Sequence, residues 1–317
     1  MVQGLTVWNG ESRIVLGIDV GATQSAVAFC WLYKGSVANV HRVSNWPGQD
    51  DQRGEPKIPT QIYYNRFGEA VKIGAETSTD DALDSAEMEG WFLARYFKLR
   101  LHPTNGRTHN LAMELEYLPT GITIMQIYVD FLRYLLRHTK EYFESHILQG
   151  QSEWSRYSPA MDVVIAHPNG WGVKEQDFLR RAAVTAGYVT PQNALSQIKF
   201  VSEADASVHF CIFHMDVDSK MNVSFYLTTL ALILMVFAKC GAVFVVCDAG
   251  GATVNTTVYA VKAKTPLQLE KKSTSLYTGR RHLRRPRSGT LHSSILNSSP
   301  YARGRNQHSR DGGSATV

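Results

Sequence analysis

The chain is short of the features that most quickly place a protein in a class. Its four cysteines, Cys30, Cys211, Cys240 and Cys247, lie in apolar runs without C-x-x-C spacing. That speaks against a disulfide framework or a zinc site, and for reduced core cysteines in an intracellular protein. No basic segment followed by an apolar stretch opens MVQGLTVWNGESR, so no secretion signal is expected and the expected location is cytoplasmic. The sequons at Asn222, Asn255 and Asn297 are then chance matches. Neither G-x-x-x-x-G-K nor G-x-G-x-x-G occurs, which removes the P-loop and dinucleotide-fold readings. Residues 223–238 form a charge-free run of 16, short of the roughly 18–20 apolar residues that span a bilayer. The run resumes after Lys239 through Val246, so a single span over 223–246 stands as a secondary reading. The first reading is an apolar insertion beside a buried strand.

Charge is unevenly spread. The net charge is +5, yet Lys262–Val317 alone holds 12 Lys/Arg against 2 Asp/Glu, which leaves the body at −5. The basic character therefore belongs to the tail, and the total implies nothing about an acidic partner for the folded part. Beyond Leu269 the apolar periodicity stops, and an Arg-, Ser- and Gly-rich stretch follows that cannot build a core and is expected to be disordered. Its Arg run at 280–287 is read as a solvated tail, with no specific nucleic-acid partner expected.

What is present is an α/β pattern. RIVLGIDV, TQSAVAFCWLY and SVANVHRV read as a three-stranded meander, and PKIPTQIYY and AVKIG as further strands around a turn at Asn65–Gly68. Helical spacing is expected over Asp80–Leu99 and Ile122–Leu148, with a loop at Pro103, Asn105 and Gly106 between them. MDVVIAHP reads as a strand, VKEQDFLRRAAVTAGY as a helix ended by Gly187, IKFVSE as a strand and ADASVHFCIF as a helix.

Two segments carry chemistry. In Gly17-Ile18-Asp19-Val20-Gly21-Ala22-Thr23 a buried strand delivers a carboxylate at its end. A glycine then allows a tight turn, and small residues let backbone N–H groups and a hydroxyl approach phosphate oxygens. A carboxylate beside phosphates makes sense when Mg²⁺ and its waters lie between them. Alone, the segment reads equally well as an ordinary Asp/Gly hairpin turn. Val245–Thr253 repeats the grammar, with Asp248, Gly250, Gly251 and Thr253 before another β run. Two copies suggest two related lobes, each offering a hairpin loop to one nucleotide.

With these segments in order, the chain resembles the 70-kDa heat-shock chaperone family of the actin-like ATPases, above all its divergent branch without a standard peptide-binding half. GIDVGATQSAV, MDVVIAHPNGW with QDFLRRAAVTAGY, FVSEADASVHF and VVCDAGGATVNTTVY carry the resemblance across most of residues 13–262. It implies an actin-like, ribonuclease-H-like nucleotide-binding domain. The first lobe would be 13–218, followed by an apolar insertion at 219–239, the start of a second lobe at 240–270 and a basic tail at 271–317. It implies ATP and Mg²⁺ as ligands, with Asp19 and Asp248 holding the metal through water. Gly21, Ala22, Thr23, Gly250, Gly251 and Thr253 would lie against phosphates, and Glu203 would position the metal shell or the attacking water. Lys98 is the candidate for the phosphate-contacting lysine, with Lys72 behind it, each against its ordinary reading as a surface lysine. Asp19, Glu203 and Lys98 are thus the expected catalytic set.

The departures are Ala22 for a hydroxyl residue, Ala252 for a third glycine and Asn255 for an aspartate, each expected to weaken metal or phosphate binding. Only 56 residues follow Val261, too few for the rest of a second lobe with its adenosine-binding loop. A truncated product or mis-joined message is expected, with 219–239 a retained non-coding segment and 274–317 an out-of-frame read. Three functions follow: a chaperone-like ATPase with unspecified clients or co-chaperones, an inactive fragment or binding module, and a sugar or acetate kinase of the same superfold.

Overall fold

The computed structural model describes residues 7–50, 54–102, 117–214, 231–234, 240–251, 253–264 and 267–278. Alternation of apolar and small or polar residues builds its first sheet. In β1 (Arg13–Val20), Ile14, Leu16, Ile18 and Val20 point into the core while Gly17 and Asp19 face out. β2 (Gln24–Leu32) runs antiparallel to β1, and β3 (Val40–Arg42) antiparallel to β2, with the short β4 (Ile58–Pro59) also on β2. β5 (Gln61–Tyr64) and β6 (Ala70–Ile73) meet across a turn with Gly68 at φ 77°.

The helix expected over Asp80–Leu99 is shorter than its spacing suggests. α1 (Asp80–Glu89) is capped by the Thr79 hydroxyl and stopped by Gly90 in the left-handed region, φ 67°. Leu83 and Met88, on the expected apolar face, are exposed. Phe92–Arg95 leaves as β7 and pairs with β5, completing a small sheet of order β6-β5-β7.

α2 (Ile124–His146) buries Ile127, Tyr128, Phe131, Leu132 and Leu135, the one-sided spacing of an amphipathic helix. α3 (Gly150–Tyr157) follows, and then β8 (Asp162–His167), which joins β1 in parallel. α4 (Val173–Ala186) ends at Gly187, φ 96°, and packs on α2, where the Tyr188 hydroxyl donates to the Leu132 carbonyl at 3.0 Å. β9 (Ile198–Ser202) adds in parallel to β8, giving the order β3-β2-β1-β8-β9. Side chains of β1, β2, β8, α2 and α4 share one hydrophobic core.

α5 (Glu203–His214) leads from that sheet to the second one, β10 (Ala231–Leu234), β11 (Val243–Ala249), β12 (Thr253–Lys264) and β13 (Leu267–Thr278), antiparallel in that order. Val208 of α5 packs with Phe244, Val246, Tyr259 and Val261 in a separate small core. Two expectations shift here. Part of the run 219–239 is strand, since Ala231–Leu234 pairs with β11. The rest of that run, the loop at 103–106 and residues 279–317 lie outside the described residues. Among the described residues no helix is long and apolar enough to cross a membrane. The ordered chain also runs past the expected boundary at 271, because Lys271–Thr278 pairs along β12 as strand. The mixed α/β architecture is consistent with the actin-like ATPase fold expected from the sequence.

Candidate functional site

The two Asp-Gly segments fold into hairpins of matching register. In β1–β2 the closing pair is Val20↔Ser25 and the pair before it is Asp19↔Ala26. In β11–β12 the closing pair is Ala249↔Val254 and the pair before it is Asp248↔Asn255. Each aspartate therefore stands opposite the residue seven positions on, with a loop of the same length beyond it. Gly21 is required within its loop, because a Cβ there would lie 2.1 Å from the backbone oxygen of Gln24. Gly251 is required between loops, because a Cβ there would lie 2.2 Å from Thr23 Oγ1 and 2.4 Å from its Cγ2. The tips of the two hairpins thus meet at Gly251 and Thr23. Ala22 lies half-buried beside Thr23, Gly250 is exposed, and Thr253 opens β12, its side chain outside the described set.

Behind the loops lies an ion pair that its partners' sequence separation conceals. Glu203 is the first residue of α5, delivered by the end of β9. Lys98 sits in a 3₁₀ turn, Phe97–Leu101, entered through Tyr96 at φ 55°. A non-glycine residue in that region costs about 1 kcal/mol, and such strain concentrates at functional sites. Lys98 Nζ lies 2.5 Å from Glu203 Oε1, with the two side chains only 6% and 13% exposed. Lys98 is therefore a core lysine, contrary to its surface reading. Lys72 stays on the surface, 3.4 Å from Asp81, and takes no part. The second carboxylate oxygen, Glu203 Oε2, accepts from Asn255 Nδ2 at 3.0 Å.

The electrostatics follow from three carboxylates around one ammonium. Burial would lower the Lys98 pKa, but Glu203, Asp19 and Asp248 together hold it above its ordinary value. Burial raises Asp248, as does Glu203, against the relief given by Lys98 and Asn255. Asp19 is pushed up to about 6, chiefly by burial and then by the Glu203 and Asp248 charges, with Lys98 and Lys57 opposing. Its surface is nonetheless open to water while neighbouring protein crowds it. Water at that surface screens the interaction, so the direction of the rise counts for more than its energy.

Several site residues were not singled out in the sequence. Asn169, after β8, donates from Nδ2 to Thr257 Oγ1 at 2.7 Å in a fully buried contact. Asp205 accepts from Ser202 Oγ at 2.5 Å, from the Tyr259 hydroxyl at 2.5 Å and from Lys271 Nζ at 2.9 Å. Asn255, Thr257 and Tyr259 alternate along β12 and so share one face, turned toward Glu203, Asn169 and Asp205. The legible signals were the S-x-x-D box at Ser202–Asp205 and polar residues at period two in a valine-rich strand. Two buried oxygens in this region, Asn255 Oδ1 and the Tyr128 hydroxyl, have no hydrogen-bond partner among the described residues.

No protein-family model matches the chain. Heat shock 70 kDa protein 12B of Homo sapiens is 29% identical over 203 residues, which is 62% of this chain and 28% of that protein. Heat shock 70 kDa protein 12A of Mus musculus and its Homo sapiens counterpart are each 24% identical over 211 residues, with the same coverage. The chain thus spans 28% of the length of these curated relatives. This similarity, over 62% of the chain, supports the expected resemblance to a divergent branch of the 70-kDa heat-shock family of actin-like ATPases.

Proposed function

We propose that the two hairpin loops bind the phosphates of ATP in a Mg²⁺-dependent manner, as part of a chaperone-like protein that hydrolyses the nucleotide slowly. The observation that carries this is the contact of Gly251 with Thr23, which brings two glycine loops of identical register face to face. Backbone N–H groups at Gly21, Ala22, Gly250 and Gly251 and the Thr23 hydroxyl are the phosphate donors. Thr253 belongs to the same set by its place in the loop.

The donor set fits a divalent cation. Asp19 and Asp248 are raised first by burial and then by neighbouring negative charge, so a cation near them relieves repulsion already present, and among the described residues Asn255 Oδ1 is a buried acceptor without a donor. Among the described residues no three of His, Cys, Asp and Glu converge closely enough to ligate a metal directly. As the resemblance implies, Asp19 and Asp248 would hold Mg²⁺ through its waters, and the ion would supply positive charge beside the phosphate oxygens. Lys98 serves to orient Glu203 and to place a positive charge behind the loops. Glu203 is the residue placed to orient an attacking water.

One observation favours a second reading, a module that binds nucleotide without turning it over. Both Glu203 oxygens already accept a hydrogen bond, from Lys98 and from Asn255, so a water is left only their remaining lone pairs and the carboxylate is tied into the fold before any water arrives. Titration calorimetry of the full chain with ATP, with and without Mg²⁺, tests the first claim. Saturable heat abolished by EDTA or by Asp248→Ala is expected, and no heat would refute it. Phosphate release under single-turnover conditions separates the readings, since binding without release selects the module.

A further inference from the structure

Asp205 is not among the groups assigned to nucleotide or metal, yet it gathers more hydrogen bonds than any of them. Its Oδ2 accepts from Ser202 Oγ and Lys271 Nζ, its Oδ1 accepts from the Tyr259 hydroxyl, and its backbone N–H donates back to Ser202 Oγ at 3.1 Å. Lys271 also donates to Ser202 Oγ at 3.3 Å, and its ammonium lies 5.9 Å from the centre of the Tyr259 ring. The Ser202–Asp205 box closes the first turn of α5, the turn that begins with Glu203. Two donors from the second sheet, one on β12 and one on β13, therefore grip the turn carrying the candidate catalytic carboxylate. Strand β12 also touches Glu203 itself through Asn255, four residues before Tyr259 on the same face, or about 13 Å along the strand.

A merely adhesive contact could lie anywhere along α5, and Val208 already supplies apolar packing there. The polar grip instead falls on the one turn whose rotation swings Glu203 relative to Lys98 and Asn255. We propose that Tyr259 and Lys271 are positioning residues: through Asp205 they fix the orientation of the Glu203 turn, and so couple the place of the second sheet to the Lys98–Glu203 pair. The consequence for turnover rests on the ATPase reading above; the coupling itself does not.

The test uses the full chain. Tyr259→Phe keeps the ring that stacks on Phe244 at 5.5 Å and removes only the hydroxyl, while Lys271→Ala removes the second donor from a half-exposed position outside either core. Lys98 acylation by acetic anhydride, followed by mass spectrometry without nucleotide, reports whether the Lys98–Glu203 pair has loosened. Each variant is expected to label Lys98 about fivefold faster than the unaltered chain, the change of a local opening easier by a modest increment. The double variant should label little faster than either single, because the two donors act on one group. Unchanged Lys98 labelling in both single variants, with native circular dichroism, overturns the proposal whether or not the chain binds ATP. Where turnover is measurable, both variants should lower kcat by about tenfold with KM within twofold, the split expected when transition-state orientation is lost and ground-state binding kept. A rise in KM alone would overturn the positioning role. Lys271→Arg should retain both kcat and slow Lys98 labelling, and loss of either in that variant counts against the role.

Discussion

Replacing Lys98 by methionine should destabilise the chain more than any single substitution on its surface, and the structure gives the size of the effect. At 2.5 Å, and with an effective dielectric of about 20, the attraction of the pair is roughly 7 kcal/mol. Withdrawing two ions from water costs an amount of the same order, so the intact pair contributes little net. Removing the lysine leaves that cost uncompensated, and Glu203, Asp19 and Asp248 then face one another without a cation. Loss of one member of such a buried pair costs about 3–5 kcal/mol. For a folded part of this size each kcal/mol shifts the melting temperature by about 2–4 °C, so Lys98→Met should melt roughly 10 °C lower. Glu203→Gln should cost less, because Lys98 keeps Asp19 and Asp248 as counter-charges. The double variant should recover most of the loss. Circular-dichroism melts of the full chain at pH 7 test this ranking. A shift under 2 °C for Lys98→Met, or equal shifts for the two single variants, would refute the picture of a buried ammonium shared by three carboxylates.

Two further outcomes follow from the loops and their charges. Gly251→Ala should force the hairpin tips apart, cost about 1–3 kcal/mol and weaken ATP affinity; Thr23→Ala should return part of both, as a double-mutant cycle by melting and calorimetry would show. Asp19 binds its proton more tightly folded, near pH 6, than at the ordinary value of 3.8. Its contribution to stability is thus complete below about pH 4 and lost as the pH rises through 6. Solvent at its surface keeps that loss to about 1 kcal/mol. Asp19→Asn should flatten this part of the stability–pH curve while Asp248, shifted in the same direction, leaves a residual slope; an unchanged curve would show that Asp19 is not crowded by charge.

Both hairpins were legible in the sequence because turn chemistry is local: Asp, Gly and a small residue specify a tight bend whatever surrounds it. The strand-helix-strand-helix run from Asp162 to His214 was legible for a related reason, since Gly187 and the period of apolar residues mark its boundaries directly. Lys98 shows where this stops. In FKLRL nothing distinguishes a buried ammonium from a solvated one, because its counter-charge is 105 positions away. Phe92–Arg95 misled for a different reason, as four residues of strand cannot be told from the continuation of a helix by spacing alone. β13 ran unseen past Leu269 because its residues, KKSTSLYT, show no apolar alternation; its backbone is satisfied by β12 rather than by a core. Asn255 was read only as a departure from an aspartate. In the structure the amide does what a carboxylate could not, donating a hydrogen bond to Glu203.

The alternation along β12 also makes the length of the Gly250–Gly251 loop a setting with two positions. Where a one-residue change in that loop is taken up by the strand as a one-step slip, every side chain exchanges faces together. Asn255, Thr257 and Tyr259 would turn away from the first sheet and its helices, and Val254, Thr256 and Val258 would take their places. Three donors or acceptors aimed at Glu203, Asn169 and Asp205 would vanish in one event. A gain or loss of one codon in this loop would therefore act as a switch between a wired and an unwired strand, while substitutions within it would act gradually.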